Sequence, residues 1–262
     1  MIDLHSHILP GIDDGAADMD ESLAMARIYV DAGVSRVVAT PHVVPGTKLK
    51  WKPKEICDRV DHLNQCLREE NISLTVAPGM EVALDTGILT LIDQNCLLPL
   101  GNSKYMLIEV PFQRLPLGWN QILFALQLKG FQILLAHPER CDHLIKKRAF
   151  FDDMIYTGAY LQVEWGSFLG HHGPEVKSQA EYLAQKGYIH CLATDSHNAR
   201  SRHAGHMEDA AKVVELQVGR ENLDLLGREN PARVLKDVPL EAMAEFESPT
   251  GAKRKKRWRF QF

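Results

Sequence analysis

The sequence lacks several features that would place it in well-defined protein classes. No apolar run approaches the roughly 18 to 20 residues that a membrane span requires, and no basic segment precedes an apolar run near Met1. We therefore expect no secretory signal and a cytoplasmic protein. The five cysteines are scattered, odd in number and never form a C-x-x-C pair. This pattern argues against a disulfide framework and against a structural zinc ribbon.

Positive charge is scarce outside one short segment. The formal net charge is −4, but six of the 30 Lys and Arg residues lie between Lys253 and Arg259. Without that stretch the chain holds 24 basic and 34 acidic residues, a balance of −10. An acidic body argues against nucleic-acid binding. For the basic, aromatic end KRKKRWRFQF two interpretations remain open: contact with an acidic partner or anionic lipid, or a solvated tail.

A joint between helix and strand recurs along the chain. Four amphipathic stretches end in glycine and run directly into an apolar segment, in DAGVSRVVAT, LKGFQILLAH, YTGAYLQVEW and QKGYIHCLAT. Glycine favours the left-handed conformation that ends a helix, and such apolar runs are typical of strands buried on both faces. This pattern predicts a βα-barrel or a doubly wound sheet. The predicted strands are Ile2–His5, Arg36–His42, Leu74–Val82, Tyr105–Pro111, Gln132–His137, Ala159–Trp165 and Ile189–Asp195.

Amphipathic segments between the predicted strands indicate helices. The clearest runs from Pro53 to Glu70 and has its apolar residues on one face. Asn230 followed by Pro231 predicts the cap and first-turn proline of another helix. No tandem repeat or long linker interrupts the chain, so we predict one domain over residues 1–240 and a peripheral tail over residues 241–262.

Six of the seven predicted strands carry a histidine or a carboxylate at or just beyond their carboxyl end. Active sites of α/β barrels lie at that end. Residues i and i+2 of an extended chain face the same way, so His5 with His7, and Asp195 with His197, could each grip one ion from one side. The candidate ligands are His5, His7, Asp14, His42, Glu81, Glu109, His137, Asp195 and His197.

A mixture of imidazole and carboxylate suits zinc, manganese or iron better than calcium. Nine candidates exceed what one ion can use, so the set predicts two or three ions that share carboxylates. One histidine at a strand end is usually only a hydrogen-bonding neighbour, but agreement among six strands indicates a common site. The other histidines are assigned to the surface or to incidental positions: His62, His143, His171, His172, His190, His203 and His206. Of these, His203 and His206 stay secondary candidates for the site, because they are close to Arg202 in the sequence.

The motifs HSHILPGIDDG, ATPH, GME, IEVP, AHPER and TDSHN, in this order, resemble the PHP (polymerase and histidinol phosphatase) superfamily. More narrowly, they resemble the PHP-type protein tyrosine phosphatases of bacterial capsule and exopolysaccharide operons, the CpsB/YwqE type. The resemblance extends from Met1 to about Leu235. It implies an α/β fold, a distorted seven-stranded TIM-like (β/α)7 barrel, holding up to three divalent ions. Manganese is the expected metal, with iron, magnesium or zinc as alternatives.

The resemblance also implies roles for individual residues. The nine candidates above would be the metal ligands, and Arg140 of HPER would contact the substrate phosphate. The substrate would be phosphotyrosine in the tail of a cognate membrane tyrosine kinase that controls polysaccharide export. A planar guanidinium suits two phosphate oxygens. The alternative for Arg140 is a salt bridge to a nearby acid such as Asp142 or Glu139.

Three parts of the chain depart from the family pattern. Glu164 in QVEWG stands where a neutral polar residue is usual, and it would either add a ligand or face water. The loop after TDSHN reads ARSRHAGHM instead of an arginine followed by prolines, and Arg202 is our candidate for a second substrate-binding arginine. The basic-aromatic end is not a feature of the family.

Other functions fit the sequence less well. A cysteine-based phosphatase needs an arginine six residues after its cysteine, and no cysteine here has one. A histidinol-phosphate phosphatase or another PHP phosphoesterase stays open, since the pocket wall would decide the substrate. Aromatic candidates for that wall are Trp51, Phe112, Trp119 and Trp165. A metal-dependent amidohydrolase is less well supported, because the sequence shows no signal for a carboxylated lysine on a strand. A binding module without turnover would not need all nine candidate ligands.

Overall fold

Nine short parallel strands form the centre of the computed structural model, which describes residues 1–47 and 51–246. The strands are β1 (Ile2–Ser6), β2 (Arg36–Ala39), β3 (His42–Val43), β4 (Thr75–Pro78), β5 (Glu81–Ala83), β6 (Tyr105–Glu109), β7 (Gln132–Ala136), β8 (Tyr160–Glu164) and β9 (Ile189–Ala193). One sheet has the order β1-β2-β4, and the other has the order β3-β5-β6-β7-β8-β9. All pairings are parallel, as expected for strands connected by helices.

Helices separate most of the strands along the chain. They are α1 (Met19–Asp31), α2 (Pro53–Glu69), α3 (Ile88–Asp93), α4 (Trp119–Leu128), α5 (Asp142–Lys146), α6 (Ala149–Tyr156), α7 (Trp165–Leu169), α8 (Pro174–Lys186), α9 (Met207–Val218), α10 (Arg220–Asp224) and α11 (Asn230–Leu235). The prediction for α2 is confirmed within one residue, and its apolar face is buried. The four glycines at the predicted joints have φ between 69° and 89°, which confirms their role in ending helices.

Two of the predicted strands are each divided in two. The segment Arg36–His42 forms β2 and β3, and Leu74–Val82 forms β4 and β5. Proline has no N–H to donate to a sheet, and each break contains or follows one, Pro41 in the first and Pro78 in the second. After each break the chain leaves the three-stranded sheet and joins the six-stranded one.

Hydrogen bonds also connect β1 to the end of β9. Ser6 and Ser196 form a parallel bridge, the His7 amide donates to Ser196 O at 2.8 Å, and the Asp195 amide donates to His5 O at 3.1 Å. The predicted α/β class with parallel strands is therefore confirmed. The strand pairing itself gives two sheets and not one closed seven-stranded barrel, because the two prolines interrupt the ladders.

The strands are buried on both faces. In β6, Met106 and Ile108 join a large cluster with the helices, whereas Tyr105 and Leu107 join a smaller second cluster. Five strands from both sheets contribute to the second cluster, whose buried members are Leu4, Val38, Leu100, Tyr105, Leu107, Leu134, Ala136, Cys191 and Val234. Burial on both faces explains why the strands read as continuous apolar runs.

The predicted cap at Asn230 is wrong. Asn230 has helical φ and ψ of −62° and −44°, because the chain is already helical in α10 and in the π turn Leu225–Glu229 before it. The wider π turn accommodates Pro231, which cannot donate a backbone hydrogen bond. The Asn230 side chain is buried and donates to His190 O and Glu241 O, and it accepts from the Glu241 amide.

Residues 241–246 lie against the body. Met243 is buried, and the Ala244 amide donates to Asn222 Oδ1 at 2.8 Å. The prediction for the basic-aromatic end falls outside the described residues. Within the described ranges, the structure contains no helix with the length and apolarity needed to span a bilayer.

Candidate metal centre

Side chains from both sheets meet at the carboxyl ends of the strands. The two halves of each divided strand matter here, because the second halves begin with His42 and Glu81 and bring both side chains into the cluster. Eight of the nine predicted ligands fall into three overlapping groups whose ligand atoms lie within 4.8 Å of one another. The groups are His5, His7, Glu81 and Asp195; His7, Asp14, His42 and His197; and His42, Glu81 and Glu109.

The first group is fully buried. His5 Nε2 lies 3.0 Å from Glu81 Oε2 and 3.2 Å from Asp195 Oδ1. His7 Nε2 lies 3.3 Å from each of the same two oxygens. Two imidazoles and two carboxylates therefore bring their ligand atoms within 4.8 Å of one another.

The second group lies at the mouth of the site. Asp14 is 63% exposed, and its carboxylate lies 3.4 Å from His42 Nε2 and 3.5 Å from His197 Nε2. His137, the ninth predicted ligand, has Nε2 3.0 Å from Glu81 Oε1. The structure thus brings all nine predicted residues together, and Glu81 lies at their centre.

The donor set fits divalent cations. Three imidazole nitrogens surround Glu81 Oε2 at 3.0 to 3.3 Å, yet this buried oxygen has no aligned hydrogen-bond donor within the described ranges. The Nδ1 atom of His137 is buried without a partner in the same part of the chain. Buried polar atoms are rarely left unpaired, and mixed imidazole and carboxylate ligands suit zinc, manganese or iron.

Two of these residues have a left-handed backbone. The φ angles of His137 and Asp195 are 31° and 50°. Such values are uncommon for residues other than glycine and cost of order 1–3 kcal/mol. They occur directly after β7 and β9, where the chain turns both side chains into the cluster.

The electrostatics of the cluster favour bound positive charge. Burial opposes protonation of His5, but the Glu81 and Asp195 carboxylates outweigh it and raise its pKa to about 9. Burial likewise opposes protonation of His7, whereas the Asp13 carboxylate helps to raise its pKa well above the usual range. The pKa values of Glu81 and Asp195 are held well below normal against burial, first of all by His5. The site therefore keeps its carboxylates ionised and attracts cations.

Residues behind the ligands fix their orientation. His7 Nδ1 donates to Asp13 Oδ2 at 2.7 Å, and His5 Nδ1 donates to Gln162 Oε1 at 3.0 Å. In both rings Nε2 is thereby directed towards the shared carboxylates, the usual role of outer partners in metal sites. Beneath them Asp3 accepts from Tyr29 and Thr194, which ties β1 to the end of β9.

Both predicted arginines reach the cluster. Arg140 Nη1 donates to Asp195 Oδ2 at 2.9 Å, and Arg202 Nη2 donates to the same oxygen at 2.7 Å. Within the described residues, the ion-pair partners of Arg140 are Asp195 and Glu164, and not Asp142 or Glu139.

Of the four aromatic candidates for the pocket wall, Phe112 lies nearest to the arginines. Its ring is 44% exposed and lies 4.5 Å from the Arg140 guanidinium carbon. Trp51 is part-buried and donates to Ile12 O, Trp119 packs edge-on against Phe150, and Trp165 is buried. Phe112 is therefore the aromatic side chain best placed beside the arginines.

The strand β8, which supplies none of the nine candidate ligands, also contributes to the site. Gln162 and Glu164 lie two residues apart in β8 and so share a face. Glu164 is buried rather than facing water; it accepts from Arg140 at 3.3 Å and pairs with His172 at 2.7 Å. The assignment of His172 to an incidental position is therefore wrong. The i, i+2 pattern of QVE is the sequence signal that could have identified these residues.

A parallel α/β fold with imidazole and carboxylate side chains gathered at its strand ends is typical of metal-dependent hydrolases. Residues 1–236 match the family described as capsular polysaccharide synthesis, CpsB/CapC, and the chain belongs to this family. The chain is 37% identical over 221 residues to the tyrosine-protein phosphatase YwqE of Bacillus subtilis, covering 84% of this chain and 86% of that protein.

Solved structures show the same relation. A structure from work on YwqE of Bacillus subtilis and CpsB of Streptococcus pneumoniae, termed unique metal-dependent tyrosine phosphatases, superimposes with a TM-score of 0.88 at 33% identity. The superposition covers 98% of this chain and 100% of the chain in the solved structure. A histidinol phosphate phosphatase from Lactococcus lactis gives a TM-score of 0.53 at 13% identity over 87% of this chain and 96% of its own, which shows a shared fold.

Proposed function

We propose that the protein is a metal-dependent phosphomonoesterase that hydrolyses phosphotyrosine. The observation that carries this proposal is that nine imidazole and carboxylate side chains lie together and that two arginines donate to one of them, Asp195. The family relation supports it, because the relatives compared above are named tyrosine phosphatases. Its protein substrate would be the tail of a cognate bacterial tyrosine kinase that regulates capsule or exopolysaccharide synthesis.

The two sheets together would form one distorted seven-stranded barrel. In this arrangement β2 with β3, and β4 with β5, each count as one bent strand, and the Ser6–Ser196 bridge closes the ring. The smaller apolar cluster supports this view, since strands of both sheets contribute to it. The interior of a barrel of this size is filled by side chains. Residues 1–240 would constitute the catalytic domain.

The three ligand groups would hold two or three divalent ions, with manganese preferred and iron, magnesium or zinc as alternatives. Glu81, His7 and His42 each belong to two groups. The Glu81 carboxylate, with two oxygens, could serve neighbouring ions, whereas a neutral imidazole has one free nitrogen lone pair, so His7 and His42 would each serve one ion. When bound, divalent cations neutralise the charge of phosphoryl oxygens and lower the pKa of the water they bind to near neutrality. Asp14, at the exposed mouth, would complete the outermost position.

The arginines would hold the substrate. Guanidinium groups bind phosphate oxygens through paired, charge-assisted hydrogen bonds. Arg140 and Arg202 approach the same carboxylate oxygen, so their free N–H groups lie beside the cluster. The exposed ring of Phe112, next to Arg140, would pack against the phenyl ring of the substrate. Because guanidinium keeps its proton, these residues orient the phosphate and do not act as general acids.

A metal-depletion experiment tests this function. We expect a chelator to abolish hydrolysis of a phosphotyrosyl peptide, added manganese to restore it, and thiol alkylation to leave it unchanged. The cysteines are outside the cluster, and Cys141 and Cys191 are buried. Full activity in metal-stripped protein would contradict the proposal. Faster hydrolysis of histidinol phosphate than of the phosphotyrosyl peptide would favour the alternative phosphatase.

A further inference from the structure

A second pocket opens beside Arg202 and is lined by four of the histidines that lie outside the nine candidate ligands. His171 and His172 lie between α7 and α8, and His203 and His206 lie just before α9. Arg202 and Glu164 form the wall that this pocket shares with the metal centre. We call the imidazoles of His171, His203 and His206 the histidine pocket.

The rings of the histidine pocket are in mutual contact. His203 and His206 stack with centroids 4.5 Å apart and planes 24° apart, and His171 packs edge-on against His206 at 4.7 Å. Nitrogen lone pairs lie in the ring plane, so two nearly parallel rings cannot direct theirs at one ion. His203 Nδ1 also accepts from the Gly205 amide at 3.0 Å. The geometry therefore disfavours a transition metal and leaves ring N–H groups as donors.

The charge balance of the pocket favours an anion. Glu164 is the one carboxylate among its lining residues, and it is already paired with His172 at 2.7 Å and with Arg140 at 3.3 Å. Partial burial and the neighbouring His206 ring both lower the pKa values of His171 and His203, which favours neutral rings that donate through N–H. The fixed positive charge beside these rings is that of Arg202.

The backbone leaves room for these rings. Gly166 lies under the pocket, and a Cβ there would be only 2.8 Å from His171 Nδ1 and 3.1 Å from Glu164 Oε1. A larger residue at position 166 would displace His171 from the pocket. Arg202, which donates to Asp195, and Glu164, which accepts from Arg140, place the pocket next to the site proposed for the substrate phosphate.

We propose that the histidine pocket, with Arg202, binds a second anionic side chain of the peptide substrate, adjacent to the phosphotyrosine. This inference rests on the proposed function. The ligand is a carboxylate or a second phosphoryl group, since either accepts hydrogen bonds from imidazole and guanidinium. The pocket would make the enzyme prefer acidic or multiply phosphorylated segments over neutral ones.

Three peptides of one sequence test the proposal with the manganese-loaded protein. Each contains phosphotyrosine, and the neighbouring position is glutamine, glutamate or a second phosphotyrosine. We expect kcat/KM to be about tenfold higher for the two anionic peptides than for the glutamine peptide, the size of one charge-assisted contact. The larger of the two ratios identifies whether carboxylate or phosphate is the better ligand.

The variants His171→Gln and His206→Gln should each reduce that ratio to about twofold or less. They lie on separate segments, so one folding defect would not account for both, and thermal unfolding checks each. His62→Gln, an exposed histidine of α2, is the matched control and should keep the full ratio. Equal rates on all three peptides, or ratios unchanged in both variants, would overturn the histidine pocket alone. Hydrolysis of none of the peptides would overturn the proposed function as well.

Discussion

At the scale of single residues, Asp195 is the point where the metal centre and the proposed phosphate site meet. Its Oδ1 faces His5 and His7, whereas its Oδ2 accepts from Arg140 and Arg202. One carboxylate thus lies between the clustered histidines and the two arginines.

Replacement of Arg140 by lysine tests the role of its planar group. A lysine keeps the charge but loses the paired donors, so we expect Arg140→Lys to lower kcat/KM for a phosphotyrosyl peptide by about 10²-fold, or roughly 2.7 kcal/mol. Metal content, measured by elemental analysis, should not change, because Arg140 is not among the clustered ligands. Arg27→Lys, an exposed residue of α1 that pairs with Glu70, is the control. Equal activity of Arg140→Lys and the parent would exclude phosphate binding by this arginine.

The sequence is informative about residues whose role follows from local spacing. His5 with His7, and Asp195 with His197, were predictable because alternate residues of a strand share a face. The same rule applied to β8 would have identified Gln162 and Glu164. His172 was not predictable, because its partner Glu164 is reached only through the fold.

At the scale of elements, the breaks in the second and third predicted strands carry function. Each break gives the chain a second short strand, and these begin with His42 and Glu81, paired directly with each other in register. The existence and order of the strands were predictable from the apolar runs and the glycine joints. The division was not predicted, because both predicted strands were continued through Pro41 and Pro78, and only the sheet partners decide where the chain continues.

Asn230 connects elements that lie far apart in the sequence. Its buried amide bonds to His190 O in β9 and to both backbone groups of Glu241. We expect Asn230→Ala to lower the free energy of unfolding by about 2–3 kcal/mol, because it removes the three hydrogen bonds of a buried side-chain amide. Urea unfolding of this variant beside Asn120→Ala, an exposed position in α4, measures the difference. A loss under 0.5 kcal/mol would show that residues 241–246 do not depend on this contact.

At the scale of the whole molecule, proton binding and metal binding are expected to be coupled through the clustered histidines. Burial disfavours the charged form of His5, yet neighbouring carboxylates raise its pKa to about 9, and the pKa of His7 is also raised. Ligating imidazoles must be neutral, so a metal ion has to displace these protons. Glu81 and Asp195 remain ionised, as their pKa values are lowered.

Manganese affinity should therefore rise with pH. With both histidines protonated below their folded pKa values, we expect the association constant to increase by about 10- to 100-fold per unit between pH 6 and pH 8, one power of ten per proton released. Titration calorimetry in buffers of different ionisation enthalpy counts those protons directly. An association constant that is flat over this range would show that metal binding releases no protons from His5 and His7, which would contradict this prediction.

The bridge between Ser6 and Ser196 has a consequence for synthesis of the chain. Asp3 and Thr194, which are 191 residues apart, are bonded beneath it. The first histidines leave the ribosome early, but their strand finds its last neighbour only after most of the polypeptide has been made. Until then the amino-terminal segment exposes an unpaired edge, which is open to chaperones and to wrong pairing. A nascent chain arrested before residue 189 should consequently bind no cation at His5 and His7, however complete the preceding helices are.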